Sequence, residues 1–157
     1  MTPTGRAALV ATATVALDQG VKALVRTTID PGDAVRLFLG IKIANVRNNG
    51  IAFGMFSGGG IVLVLFAIAA LAALLIFFFR HRDRPLVWLP TGLLIGGAAG
   101  NLIDRVREGA VTDFIDFPAW PAFNVADIAI TFGVISLVLV LEGPGRKREE
   151  EAPQPDG

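Results

Sequence analysis

Residues 61–79 read IVLVLFAIAALAALLIFFF, an unbroken run with no charged, amide or hydroxyl side chain. As an α-helix this run reaches about 28 Å at about 1.5 Å per residue, close to the hydrocarbon thickness of a bilayer. A helix buried in a water-soluble core rarely runs so far without a polar residue, so a membrane span is the direct reading. Three further segments follow it in kind. Val125–Leu141 is similar except for Asp127 near its start. Leu86–Ile103 is interrupted by Pro90, Gly92, Gly96, Gly97 and Gly100, small residues that let neighbouring helices approach closely. Ala7–Val25 carries Asp18, Gln19 and Lys22. An arginine followed by an apolar run is how a secretory signal begins, but this polar trio does not resemble a small-residue cleavage site, and a retained helix is expected. Asp18 and Lys22 stand four positions apart and therefore share a helical face, where they can neutralise each other. Both an interhelical lock and a support for a functional site fit that pair.

The spans predict an all-α membrane protein of four transmembrane helices, about 7–25, 61–79, 86–103 and 125–141, in a single domain over 1–142. Dense basic clusters, Arg80/Arg82/Arg84 and Arg146/Lys147/Arg148, follow the second and fourth spans and mark the cytoplasmic side. Both termini then lie inside. The 26–60 connection, Asp113 and Asp127 share the outer face. Thr27–Gly60 is too polar to span. Within it KIANVRNNGIAF contains Asn49-Gly50, a hairpin signal, and predicts a small extracytoplasmic β or extended element between helices 1 and 2. The stretch DAVRLFLGIKI reads as a short amphipathic piece beside it. The tail 143–157 has few apolar residues and is expected to be disordered in the cytoplasm.

Composition removes several chemistries. The formal net charge is zero, which gives no basic surface for nucleic acid. There is no cysteine, hence no disulfide and no thiol nucleophile, and the one histidine, His81, lies in the charged run RHRDR. No metal site is expected. What remains is carboxylate chemistry. Asp113, in VTDFIDF, and Asp127, in FNVADIAITFG, sit at the edge of hydrocarbon, where ionisable groups are costly and mark functional sites by default. Asn124 is placed to cap the fourth helix, which puts Asp127 in its first turn, where the helix dipole favours the anion. Two carboxylates at one low-dielectric face would share a proton and could act together as acid and base. Spacing alone does not choose between Asp113 and Asp116 as the partner of Asp127. Asn101 and Asp104 lie on one helical face of the third span, and the amide there needs a partner. A proton-coupled carrier using Asp18, Asp104 and Asp127, or a non-catalytic scaffold, would fit the same residue types. A carrier, however, predicts acids at several depths.

Taken in order, DQGVK at 18–22, NNGIAF at 48–53, GNLIDR from Gly100 to Arg105, VTDFIDF at 111–117 and FNVADIAI at 123–130 resemble the lipoprotein signal peptidases, or signal peptidase II. The resemblance runs from Asp18 to about Gly133. It implies an aspartic endopeptidase with Asp113 and Asp127 as its catalytic pair, supported by Asn48, Gly50, Asn101, Asp104, Arg105, Asn124 and Ala126, with Asp18, Gln19 and Lys22 packed nearby. It also implies cleavage of diacylglyceryl-modified bacterial prolipoproteins just before the lipidated cysteine, with no cofactor. The expected partners are that substrate and membrane lipid. The expected setting is the bacterial cytoplasmic (inner) membrane, as a monomer with its site near the outer face. Phe53, Phe114, Phe117 and Trp120 are candidates for an apolar approach or for interfacial anchoring. Gly20-Val21 lacks the small hydroxyl residue often found before the family's lysine.

Overall fold

The structure, a computed structural model, describes residues 1–50 and 60–142. Four long helices form: α1 Pro3–Thr28, α2 Gly60–His81, α3 Trp88–Glu108 and α4 Val125–Glu142. Three of them, α1, α2 from Ile61 and α4, are long and apolar enough to cross a membrane. Thr2 starts α1 by accepting a hydrogen bond from the Gly5 N–H at 3.1 Å, with Pro3 at a position that has no N–H to lose. Pro90 falls in the first turn of α3, where its missing donor is harmless, so the proline does not break the helix. Gly109, at φ 71°, ends α3 in the left-handed conformation that glycine adopts most readily.

Helix α3 is the centre, touching α1 on one side, α4 on another and α2 on a third. Its glycines make this possible. A Cβ on Gly96 would stand 2.6 Å from Thr14 Cβ and 2.8 Å from the Ala11 carbonyl oxygen on α1. A Cβ on Gly97 would stand 2.5 Å from the Ala126 carbonyl oxygen on α4. The backbones meet with no room for a side chain, the arrangement that gives van der Waals packing its leverage in lipid. Gly96→Val should therefore force α1 away from α3 and lower the unfolding temperature in detergent by many degrees. Gly20→Ala, at a position with nothing within 4 Å, should leave it level or slightly higher.

The sheet has three strands: β1 Ala34–Arg36, β2 Lys42–Asn48 and β3 Val111–Asp116. It is antiparallel in the order β1-β2-β3, with a bulge in β2 between Ile43 and Val46. Two expectations are corrected here. The hairpin turn lies at 37–41, inside the stretch read as amphipathic, where Leu37 N–H donates to the Ile41 carbonyl oxygen and Ile41 N–H to that of Phe38. Asn49-Gly50 instead follows the end of β2; residues 51–59, with Phe53, lie outside the described residues. The β element is also not confined to the connection between the first two helices. VTDFID, between α3 and α4, forms its third strand, because its buried backbone needs ladder partners and β2 supplies them. The tail beyond Glu142 lies outside the described residues as well.

Candidate active site

Three chain segments converge at one end of the helices. Strand β3 carries Asp113, the first turn of α4 carries Asp127, and Asn124 just before α4 ties them together. Its amide Nδ2 donates to Asp113 Oδ1 at 2.7 Å. Its Oδ1 accepts from the Asp127 N–H at 2.9 Å, and its own N–H donates to Asp127 Oδ2 at 3.2 Å. This reciprocal pair is a capping box, with Asn124 as the predicted N-cap and Asp127 three residues on. Asn101 Nδ2 donates to the other oxygen, Asp127 Oδ1, at 2.8 Å. On the far side Asn48 Nδ2 donates to Asp113 Oδ2 at 2.9 Å, while its Oδ1 accepts from the Gly50 N–H.

Behind the two carboxylates lies a buried ionic cluster. Lys22 is fully buried on α1, and its ammonium has three donors for three acceptors: Asp18 Oδ2 at 2.8 Å, Asp104 Oδ2 at 3.1 Å and Asn101 Oδ1 at 3.0 Å. Each carboxylate then reaches a backbone donor. Asp18 Oδ1 accepts from the Ala126 N–H at 2.9 Å, one of the unpaired donors at the start of α4. Asp104 Oδ2 accepts from the Thr112 N–H at 3.0 Å, next to Asp113. One lysine thus holds both segments that carry the paired aspartates. Gln19 Nε2 sits across the same cluster, within 3.2 Å of Asp18 Oδ2, the Gly100 carbonyl oxygen and Asp104 Oδ1. Among the described residues, no buried side-chain nitrogen or oxygen lacks a partner. The ion pair expected from the spacing of Asp18 and Lys22 is present, and with Asp104 it joins α1 to α3 and to the backbone of Thr112 and Ala126.

Burial pushes the Asp113 carboxyl up to about 6, and the charge of Asp127 beside it adds to the effect. The hydrogen bonds from Asn48 and Asn124 and the Lys22 charge oppose that rise without cancelling it. Charge balance points the same way. Four carboxyl groups, Asp18, Asp104, Asp113 and Asp127, are gathered around two cations, Lys22 and Arg26. A proton on Asp113 relieves the excess of negative charge. A cavity of about 330 Å³ opens beside Asp113, lined by Val46, Arg47, Asn48, Asn49, Pro121 and Ala122.

The remaining expected residues separate clearly. Asp116 stands away from the pair, in a half-exposed contact with Lys42 at 3.3 Å. Among the described residues, the Arg105 guanidinium reaches only the Asn101 carbonyl oxygen of its own helix, at 3.4 Å. Asn48 and Asn124 each turn an amide N–H onto Asp113. Asp18 and Asp104 belong to the lysine cluster at the same end as the pair, not at graded depths as a carrier would need. Sequence reasoning passed over Arg26, Thr112 and Asn45. Arg26 Nη1 donates to Thr112 Oγ1 at 3.1 Å and lies 3.5 Å from Asp104 Oδ1. The signal was there, since Asp18, Lys22 and Arg26 follow a four-residue step along one helical face. Asn45 Nδ2 donates to the Ile29 carbonyl oxygen and fastens the sheet to the end of α1.

Comparison with known proteins agrees with this arrangement. The family model described as signal peptidase (SPase) II matches residues 10–142. The chain belongs to the signal peptidase II family. Lipoprotein signal peptidase of Moorella thermoacetica is 40% identical over 91% of this chain and 97% of its own. That of Halothermothrix orenii is 38% identical over 81% and 88%, and that of Staphylococcus aureus 36% identical over 94% of both. A solved bacterial membrane enzyme superposes with a TM-score of 0.82 at 36% identity, covering 89% of this chain and 94% of that one. With these relatives and its apolar helices, the chain is a membrane-embedded member of the signal peptidase II family.

Proposed function

We propose that this protein removes signal peptides from diacylglyceryl-modified prolipoproteins, cleaving just before the lipidated cysteine by aspartic chemistry. The observation that carries the mechanism is Asn124, whose one side chain bonds the Asp113 carboxyl and the Asp127 backbone together. Asp127, accepting two hydrogen bonds and aimed from a helix N-terminus, takes a proton from water. Asp113, holding its proton, donates a hydrogen bond to the scissile carbonyl oxygen as the water attacks. The proton acquired by Asp127 then passes to the leaving amine, and the bond breaks. Low dielectric and fixed donors make the charge shifts cheaper than in water. Asn101 and the Lys22 cluster hold the pair in place.

In this reading all four helices cross the bacterial inner membrane in one domain over 1–142, with both termini cytoplasmic and the sheet outside. Helix α3 crosses among the other three, its glycines and polar face turned to them rather than to lipid. A substrate whose acyl chains already lie in the bilayer reaches a site at its outer edge by lateral diffusion, and a monomer suffices. The test is cleavage of matched lipidated and unlipidated prolipoprotein by the purified protein, with product masses locating the bond. Cleavage before the modified cysteine, with strong preference for the lipidated form, is expected. Equal turnover of both, or cleavage elsewhere, would overturn the proposed substrate.

A further inference from the structure

The β1–β2 turn presents an unusual surface. Leu37, Phe38 and Leu39 project from it, and Leu39 is 87% exposed and Phe38 66% exposed. Leu39 adopts φ 51°, a left-handed conformation that disfavours a residue with a Cβ and that glycine or asparagine fills more readily. A turn built only to face water has no use for a bulky apolar residue in that conformation. The next residue, Gly40, packs so tightly on Pro118 that a Cβ would stand 2.8 Å from Pro118 Cγ. That contact joins the turn to the 117–122 loop, where Trp120 is 67% exposed and Phe117 partly so. At the base of the turn, Arg36 and Lys42 face each other in register.

These features define an apolar tip with an indole and two cations behind it, Arg36 and a Lys42 that also pairs with Asp116 at 3.3 Å, on a sheet fastened to the end of membrane helix α1 through Asn45. Apolar residues and a tryptophan at the polar boundary, backed by cations that suit phosphate, match the interfacial layer of a bilayer. The lipid-facing surface of the helices, including Leu24 on α1 and Phe132 on α4, continues the same requirement. We propose that the Leu37–Leu39 turn, with Phe117 and Trp120, inserts into the headgroup–acyl boundary of the bilayer that holds the helices. It thereby sets the height of the cavity beside Asp113 above the lipid. The inference rests on membrane embedding rather than on the peptidase chemistry.

The full chain has no cysteine, so Leu39→Cys gives a single labelling site. The fluorophore-labelled protein is placed in nanodiscs of phosphatidylcholine and phosphatidylglycerol. Lipids carrying a nitroxide on the upper acyl chain should quench the label strongly, and aqueous iodide should quench it several-fold less than in the denatured chain. Iodide access equal to that of the denatured chain, without quenching by lipid-borne nitroxide, would overturn the proposal. So would label self-quenching that marks a second copy as the occupant. In the activity assay Phe38→Ser with Leu39→Ser should raise KM for bilayer-embedded substrate several-fold and leave kcat unchanged. A fall in kcat at constant KM would contradict a depth-setting role. The quenching result is independent of any cleavage, so loss of the peptidase reading would leave it standing.

Discussion

Asp113→Asn and Asp127→Asn are each expected to abolish cleavage of a lipid-modified prolipoprotein, while Asp116→Asn stays within a few-fold of the unsubstituted protein. General acid and general base action each contribute about 10²–10⁴-fold, and the two carboxyls work on one proton. The loss of either should therefore cost nearly as much as the loss of both, and the double variant should be no worse than the singles. Asparagine keeps the shape but turns an N–H toward a donor that had a carboxylate oxygen: Asn48 or Asn124 at position 113, Asn101 or the Asn124 N–H at position 127. Thermal unfolding must accompany the assay so that a misfolded sample is not counted as an inactive one. Asp116 loses only a half-exposed contact with Lys42, worth at most about 1 kcal/mol. Unimpaired turnover by either Asp113→Asn or Asp127→Asn would remove that residue from the chemistry. Loss of activity on replacing Asp116 alone would mean that it, and not Asp113, is the partner.

Lys22→Met should be the most destabilising single change in the described residues, and inactivating as well. The ammonium is fully buried, and its removal strands Asp18 and Asp104 with only Arg26, 3.5 Å from Asp104, to offset them. Breaking a buried pair in this way costs about 3–5 kcal/mol, because the uncompensated charge stays behind. Structure and activity should fail together, since Asp18 holds the Ala126 N–H at the start of α4 and Asp104 holds the Thr112 N–H in β3. A double-mutant cycle separates charge from packing. Adding Asp18→Asn to Lys22→Met removes one orphan charge and should recover part of the unfolding temperature. The same addition should not recover activity, because Asn101 Oδ1 would still lack its lysine donor. Additive losses in the cycle would mean that the lysine acts by volume rather than by charge.

The long apolar helices were legible because lipid leaves few options: an uncharged run of the length of residues 61–79 has little else to form. The four helices of the structure enclose every predicted interval to within a few residues, though α3 alone is not apolar enough to be singled out by composition. Its glycines and polar face are what packing against α1 and α4 requires, and they lower its mean hydropathy. The capping role of Asn124 was also readable, since an asparagine three residues before an acid at the start of an apolar run has one economical geometry. The sheet was less so. β1 is three residues long, and β3 is separated from β2 by more than sixty positions, so neither shows a local signal. The hairpin was misplaced because Asn-Gly is a strong turn signal, whereas the turn actually formed puts Leu39 where turn chemistry disfavours it. Pairing Asp127 with Asp113 rather than Asp116 needed either the family resemblance or the strand. In β3 the register sets Asp113 opposite Val46 and Asp116 opposite Lys42, three residues along the same strand. The union of Asp18, Lys22 and Asp104 around both backbone segments was beyond the sequence, because it depends on how α1 and α3 dock.

The pH dependence of kcat/KM, measured on lipid-modified substrate in bilayers, tests the shared proton most directly. With Asp113 raised to about 6 by burial, the singly protonated pair is lost as pH rises through that value, and kcat/KM should fall tenfold for each further pH unit. A kcat/KM that stays level from about pH 5 to about pH 8, in protein that remains folded, would contradict an acid–base pair at Asp113 and Asp127.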